Sequence, residues 1–158
     1  HAGATAYARG SAATDADGVV ACDVFGSVGT VLAVDERQLD AVTGLSGSGP
    51  AYVFRLIEGL VAGGVAAGLD EADALTLATQ TMLGAAKLLS DSGESPAQLR
   101  ENVTSPRGTT LAGLSHLDAN LFFETVGGAV RAAAARSAIL GAETEATLAR
   151  LLEEPPRG

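Results

Sequence analysis

The segment that runs from Val103 to Leu114 combines hydroxyl side chains, a proline and a glycine in one short loop before an apolar helix. The N–H groups in the first turn of a helix, with the positive end of its dipole, favour a carboxylate or a phosphate. Gly108 would let the backbone approach such a ligand closely. The segment therefore predicts an anion-binding loop. The alternative is an ordinary loop in which Thr109 caps the helix and Pro106 ends the preceding one.

A second loop, made of Ser46, Gly47, Ser48 and Gly49, joins a short amphipathic stretch to a long helix that Pro50 opens. Alone it is a weak signal for phosphate binding, and a flexible linker is the alternative. Pro50 and the apolar residues on both sides favour a fixed helix start.

Several other kinds of site have little to be built from. His1 and His116 are the only histidines and Cys22 is the only cysteine, so we expect no metal site, Ser-His-Asp triad or internal disulfide. We interpret Cys22 as a core residue and His116 as a partly buried histidine. The sequence also lacks a P-loop and a GxGxxG fingerprint.

Charge and hydropathy exclude further classes of partner. The net charge is −9 and Lys87 is the only lysine, which argues against nucleic acid. No apolar run approaches the roughly 20 residues that span a bilayer, and no signal-peptide pattern is present. We expect a cytoplasmic protein that has no membrane partner.

The elements that must position these loops are mostly helical. Hydrophobic residues make up 47% of the chain, aromatic residues only 4%, and there are 20 glycines, so helices would pack closely through small side chains. Strands are predicted only at residues 5–9 and 30–34, with a helix between them that Thr14 and Asp17 begin. Such a β-α-β unit is too small to be stable alone and must complete a larger sheet.

Helical spacing predicts buried apolar stripes on three helices. They comprise Val20, Val24 and Val28 on the first; Val53, Leu56, Ile57, Leu60, Val61 and Val65 on the second; and Leu75, Ala78, Met82, Leu83, Ala86 and Leu89 on the third. Glycines within helices, at positions such as Gly63 and Gly127, indicate close helix contacts. These contacts belong either to a subunit interface or to a crowded core within one chain.

Three segments together resemble one family. They are residues 40–54, residues 83–87 and the loop from Thr104 to Leu114, and in this order and spacing they are similar to the C-terminal half of pyrroline-5-carboxylate reductases, from about Ala21 to about Leu140. The resemblance implies a mainly α fold: a helical-bundle dimerisation domain like that at the C-terminus of 6-phosphogluconate dehydrogenase, preceded by a β-α-β remnant of a Rossmann domain. Residues 1–34 would be the end of the dinucleotide-binding domain, and residues 35–158 the helical dimerisation and substrate domain.

The resemblance also implies a reaction. The family reduces 1-pyrroline-5-carboxylate to L-proline with NADPH or NADH, as a homodimer or higher oligomer. The main cofactor site would lie in an N-terminal half that this sequence lacks, so the chain alone is expected to be inactive.

Site residues carry over by their match to the family's motif. The N–H groups of Gly108, Thr109 and Thr110 would hold the substrate carboxylate, and the Thr110 hydroxyl would reach the ring nitrogen as the catalytic group. Val103, Ser105 and Pro106 would shape the pocket. Ser46, Gly47, Ser48 and Gly49 would line the same cleft near the nicotinamide.

One position departs from the family, which usually has glycine where this sequence has Arg107. Either Arg107 adopts a positive φ, or it takes ordinary angles and adds a cation near the anionic ligand. Two alternatives to a reductase are also open. A β-hydroxyacid dehydrogenase would need a lysine on the helix from Pro50 to Gly68, which has none, and a non-catalytic helical dimerisation module would keep the core without the cofactor half.

Overall fold

The computed structural model describes residues 2–153, apart from the side chain of Glu153. The chain folds into two compact units. The first unit is drawn from His1–Gly49 and Gly127–Gly158, and the second is Pro50–Val126.

The first unit begins with a β-α-β arrangement. Strand β1 (Gly3–Tyr7) and strand β2 (Gly29–Ala33) pair in parallel, with Gly3 opposite Gly29, and helix α1 (Asp15–Gly26) connects them. A Cβ at Gly29 would collide with the backbone of Gly3, so this end of the pair requires a glycine. Both strands begin and end slightly earlier than the sequence pattern predicts, and α1 ends at Gly26 rather than at Gly29.

Helix α1 starts at the predicted capping box. The Asp17 carboxylate accepts a hydrogen bond of 2.7 Å from the Thr14 N–H, while the Asp17 N–H donates to the Thr14 hydroxyl at 3.4 Å. The hydrogen bond from the Thr14 backbone, followed by that from its hydroxyl, lowers the pKa of Asp17 below its ordinary value. The cap satisfies N–H groups that the first turn of a helix leaves open.

The rest of the first unit is helical. A 3-10 turn (Glu36–Gln38) leads into α2 (Leu39–Val42) and a π-helical turn (Thr43–Gly47), and the long helix α7 (Phe122–Glu153) enters this unit at Gly127. Gly44 is buried where the π turn meets α7. A Cβ on Gly44 would lie 2.5 Å from the Val130 carbonyl oxygen and 2.9 Å from the Ala134 nitrogen. Only glycine permits this approach.

The second unit contains most of α3 (Gly49–Ala66), then α4 (Glu71–Ser92), α5 (Pro96–Asn102), α6 (Thr109–Ala119) and the first turn of α7. Its helix ends follow the predicted glycines, because Gly68 and Gly93 have φ angles of +105° and +70°. Ser95 caps α5 by accepting a hydrogen bond of 3.2 Å from the Gln98 N–H. Within residues 2–153 no strand follows β2.

Burial differs from the sequence-based expectation. Among the described residues, Ala74 and Ala78 of α4 are the only buried apolar side chains. Most members of the three predicted stripes are exposed or half-buried, with Val20 and Leu83 each 61% exposed. The prediction of buried stripes is wrong for the isolated chain, because periodicity shows that a face is apolar without showing which surface covers it.

Two single-residue predictions are also wrong. Cys22 is exposed rather than a core residue, because β1 and β2 alone offer α1 too little sheet to cover it. The Tyr7 hydroxyl lies 3.5 Å from its sulfur, and this hydrogen bond is the main cause of a raised Tyr7 pKa. His116 is exposed rather than partly buried, near the C-terminal end of α6.

Within the described part of the chain, no helix is both long enough and apolar enough to cross a membrane. Residues 2–153 likewise contain no cluster of His, Cys, Asp and Glu side chains that could hold a metal ion.

Candidate functional site

The loop at residues 103–108 is anchored to the end of α5. The Thr104 hydroxyl donates a hydrogen bond of 2.6 Å to the Arg100 carbonyl, and the Thr104 N–H donates one of 2.9 Å to the Glu101 carbonyl. Thr104 is half-buried, whereas Val103, Ser105 and Pro106 are exposed. The side chain that faces back onto α5 is therefore Thr104, and its neighbours remain accessible to a ligand.

A tight turn then leads into α6. The Gly108 N–H donates a hydrogen bond of 3.0 Å to the Ser105 carbonyl, and Arg107 has a φ of +60°. The structure thus selects the first alternative for Arg107: it takes the left-handed conformation that glycine adopts most easily. A Cβ on Gly108 would lie 3.1 Å from the Ser105 carbonyl oxygen and would require the Ser105 hydroxyl to rotate away, so the space at position 108 is tight.

Helix α6 begins at Thr109, one residue earlier than expected. Gly108 is the N-cap. The Ala112 N–H donates the first helical hydrogen bond, of 3.3 Å, to the Gly108 carbonyl. The alternative in which Thr109 caps the helix is wrong, because Thr109 already lies in the first turn and no side chain caps this end. The N–H groups of Thr109, Thr110 and Leu111 consequently have no acceptor within the helix.

This geometry changes one expected role. Gly108 was expected to offer its N–H to an anion, but that group already donates to the Ser105 carbonyl. The available set of donors therefore lies one residue further along, on Thr109, Thr110 and Leu111. The sequence-based assignment did not include the Leu111 N–H, and placing the cap at Gly108 adds it to the candidate donors.

Residues 103–108 carry one formal charge, and it is positive. Arg107 is exposed and takes part in none of the ion pairs found among the described residues. The partial positive charge at the start of α6 has the same sign. An anion placed at this helix start would therefore meet backbone donors with a guanidinium two residues before the helix.

The Ser46 to Gly49 segment is ordered and regular. The Ser46 hydroxyl donates a hydrogen bond of 3.1 Å to the Val42 carbonyl, and the Ser48 N–H donates one of 2.8 Å to the Thr43 carbonyl. A π-helical turn that passes directly into α3 replaces the flexible linker considered as the alternative. These residues belong to the first unit and the 103–108 loop to the second, so their shared cleft stays a prediction.

Comparison with known proteins decides the family. The sequence model described as pyrroline-5-carboxylate reductase dimerisation matches residues 36–140, which include the π turn, the 103–108 loop and α6. The chain belongs to the pyrroline-5-carboxylate reductase family. The predicted mainly α fold, a helical dimerisation domain preceded by a β-α-β unit, is confirmed for this member of the family.

Individual relatives agree with this assignment. The chain is 52% identical over 134 residues to pyrroline-5-carboxylate reductase of Arabidopsis thaliana, covering 85% of this chain and 49% of the relative. A Plasmodium falciparum pyrroline carboxylate reductase structure with NADP bound matches with a TM-score of 0.81 at 35% identity, covering 87% of this chain and 53% of that one. The Coxiella burnetii enzyme gives 0.82 at 34% identity, with coverages of 85% and 50%. The chain spans about half the length of these relatives.

Proposed function

We propose that this chain provides the helical region that holds the substrate and self-associates in a pyrroline-5-carboxylate reductase. The reaction is the NADPH- or NADH-dependent reduction of 1-pyrroline-5-carboxylate to L-proline, the last step of proline biosynthesis. The observation that carries the proposal is the start of α6. In a chain of this family, it presents three adjacent backbone donors behind a tight turn.

The substrate carboxylate is the ligand that this helix start fits. The N–H groups of Thr109, Thr110 and Leu111 point out of the first turn, and the helix dipole adds a partial positive charge. A protonated cyclic imine is already electrophilic, so the protein's main task is to fix and orient the ring. Holding the carboxylate at one end of the ring achieves both.

The Thr110 hydroxyl is the side-chain group that we assign to the ring nitrogen. Thr110 is exposed in the first turn of α6, so its hydroxyl can act on a ligand bound to the adjacent N–H groups. It would accept a hydrogen bond from the N–H of the protonated imine, or else donate one to the nitrogen of the neutral imine and relay a proton to it from solvent. Val103, Ser105 and Pro106 would form the wall of the pocket, since all three are exposed on the loop before α6.

The π turn fits a limited contact with the cofactor. The Ser46 hydroxyl and the Ser48 N–H already have acceptors, and Pro50 has no N–H. A segment with so few donors to offer suits a contact with the polar edge of a nicotinamide better than with a pyrophosphate. The nicotinamide, when bound, supplies the hydride. The 158 residues contain no GxGxxG fingerprint, so no pyrophosphate site is assigned to them.

Self-association is the second part of the proposal. The chain has an accessible surface of 12025 Å² at a mass of 15.7 kDa. Two separate compact units of half that mass would together expose only about 8,800 Å². Exposed leucines on α4, such as Leu75, Leu83 and Leu88, belong to this excess. We infer that a second copy covers them, in a cytoplasmic homodimer or higher oligomer.

The domain division remains part of the proposal. Residues 1–34 would end a dinucleotide-binding domain, and residues 35–158 would form the helical dimerisation and substrate domain. The parallel pair of β1 and β2 supports this division, because a two-stranded sheet needs further strands beside it to be stable.

The test is an assay of the complete gene product that contains these residues. We expect NADPH oxidation that depends on 1-pyrroline-5-carboxylate and is matched by formation of proline. Cofactor oxidation without proline, or no turnover by a folded protein, would contradict the proposed reaction. Isothermal titration of the 158-residue chain alone is expected to give no micromolar binding of NADPH. Binding at that level would mean that the cofactor site is misplaced.

A further inference from the structure

Three polar side chains, Glu94, Gln98 and Asn102, form a row that starts just before α5 and follows that helix at intervals of four residues. The Asn102 Nδ2 atom donates a hydrogen bond of 3.0 Å to the Glu94 Oε2 atom, and the Gln98 Nε2 atom donates one of 3.0 Å to the Asn102 Oδ1 atom. Residues four apart are neighbours on a helix surface, which explains the contact of Gln98 with Asn102. The contact with Glu94 spans the whole of α5, because Glu94 precedes the cap residue Ser95.

The Asn102 amide is engaged at both of its ends. Its oxygen faces an amide donor, and its nitrogen faces an ionised carboxylate, which only accepts hydrogen bonds. The reversed amide would set oxygen against the Glu94 carboxylate and nitrogen against the Gln98 nitrogen. The row therefore requires a donor at position 102 that faces an acceptor at position 94.

Glu94 also connects this row to α4. The Glu94 N–H donates a hydrogen bond of 3.2 Å to the hydroxyl of Ser92, the last residue of α4. The same helix carries the buried side chains of Ala74 and Ala78. Asn102 is the last residue of α5 and directly precedes the 103–108 loop. Hydrogen bonds thus run from the end of α4 to the residue from which the loop departs.

The 103–108 loop depends on α5 for its position. Its half-buried side chain, Thr104, bonds only to the Arg100 and Glu101 carbonyls at the end of that helix. Helix α5 has seven residues, and isolated helices of that length are not stable in water. The contacts that hold the last turn of α5 therefore also hold the loop.

We propose that Asn102 is a positioning residue. Through Glu94 it fixes the end of α5, and with it the loop that leads to the N–H groups of Thr109, Thr110 and Leu111. The inference rests on the proposed function, in which those groups bind the substrate carboxylate. Asn102 acts through the placement of the loop, because a binding site on a loop is precise only when supporting hydrogen bonds hold the loop in place.

Two substitutions in the complete gene product break the link in different ways. Asn102→Asp keeps the size of the side chain and its contact with Gln98, but sets an oxygen against the Glu94 carboxylate. Glu94→Ala removes the acceptor and adds no charge. Each is expected to raise KM for 1-pyrroline-5-carboxylate roughly tenfold, within the range of couplings in one hydrogen-bond network. The value of kcat and the KM for NADPH should change little, because the carboxylate is held equally before and during the reaction.

Exchange of donor and acceptor tests whether the effect passes through this pair. Glu94→Gln alone should keep a KM near that of the unsubstituted protein, because the glutamine oxygen accepts from the Asn102 amide. Combined with Asn102→Asp, the glutamine nitrogen donates to the aspartate oxygen, so the double variant should regain that KM.

Arg100→Gln is the control for charge. It lowers the charge of α5 by the same unit as Asn102→Asp, and the Arg100 side chain takes part in none of the ion pairs found among the described residues. We expect a much smaller change in KM for this variant. An equal rise in KM would show that charge, and not the position of the loop, causes the effect, and would overturn the proposal.

The remaining outcomes separate a positioning role from its alternatives. A double variant no better than Asn102→Asp alone, or an unchanged KM in both Asn102→Asp and Glu94→Ala, would overturn the proposal. A lower kcat at constant KM would do the same, because it indicates loss of folded protein. An unsubstituted protein without turnover would refute the proposed function itself. An active protein whose KM does not respond to these substitutions would refute only the role of Asn102.

Discussion

The Gly108 N–H donates to the Ser105 carbonyl at 3.0 Å, and the turn that this hydrogen bond closes holds Arg107 at a φ of +60°. The same bond removes Gly108 from the set of anion donors and directs the chain into α6. A single backbone contact thereby determines the conformation of Arg107 and shifts the proposed carboxylate donors to Thr109, Thr110 and Leu111.

Arg107→Gly is expected to stabilise the protein. A non-glycine residue in the left-handed region costs roughly 1–2 kcal/mol, and part of this gain is lost to the greater freedom of glycine in the unfolded chain. We expect a net increase of about 0.5–1 kcal/mol in the free energy of unfolding, measured by urea denaturation. Arg107→Ala is the control, since it removes the charge but keeps the strain. Equal stabilities of the glycine and alanine variants would contradict the assignment.

Thr110→Val tests the assignment of the catalytic hydroxyl. The substitution keeps the shape of the side chain and removes the hydroxyl, so kcat/KM for the imino acid should fall by roughly ten- to a thousandfold. Cofactor affinity should change little. The steady-state assay uses the complete gene product. Thr109→Val is the matched control, because only the backbone N–H of Thr109 is assigned a role. Near-wild-type activity in both variants would contradict the assignment of the Thr110 hydroxyl.

Gly44→Ala is expected to disturb the contact between the π turn and α7. The added Cβ would lie 2.5 Å from the Val130 carbonyl oxygen, and a backbone atom of a helix cannot move away locally. Overpacking of this kind costs typically about 1–3 kcal/mol of unfolding free energy, measurable by chemical denaturation. Gly47→Ala provides the control. Its Cβ would lie 3.7 Å from the Thr43 Cγ2 atom, an ordinary contact, so a similar loss there would refute the steric explanation.

Self-association should appear in sedimentation equilibrium. At micromolar concentration we expect a mass of at least twice 15.7 kDa. Leu75→Asp places a carboxylate in the apolar groove between α3 and α4, which Ile57 and Val61 also line. It should weaken association by about two orders of magnitude, since burying an unpaired polar group costs roughly 1–3 kcal/mol. The control is Thr76→Asp, on the neighbouring residue. It should leave association nearly unchanged, because the Thr76 hydroxyl bonds only to the Ala72 carbonyl of its own helix. A monomeric parent chain would remove the dimer from the proposal.

Local signals in the sequence predicted the local structure well. The capping box of Thr14 and Asp17, the cap at Ser95 and the glycine at position 93 are interactions within a few residues, so the sequence contains all of their participants. The start of α6 was misplaced by one residue, because the predicted cap was the side chain of Thr109 rather than the backbone turn at Gly108. That shift changed which N–H groups are available.

Burial could not be predicted in the same way. Helical periodicity identified apolar faces correctly in type, but Leu75 and Leu83 remain more than half exposed, and Cys22 lies on the surface. Whether an apolar face is covered depends on long-range partners, which include other chains and other strands of a sheet. For the candidate site, the residue types and their order could be predicted from the sequence. The position of the π turn relative to the 103–108 loop could not.

Ala74 and Ala78 are the only apolar side chains that the described part of one chain buries, and this affects how the protein folds. In the proposed dimer, most hydrophobic stabilisation arises only when two copies meet, so folding and assembly become one bimolecular process. The thermal midpoint then rises with protein concentration, and refolding slows on dilution. When normal and destabilised subunits are mixed, each destabilised copy that pairs with a normal copy inactivates both. The loss of activity therefore exceeds the fraction of destabilised chains.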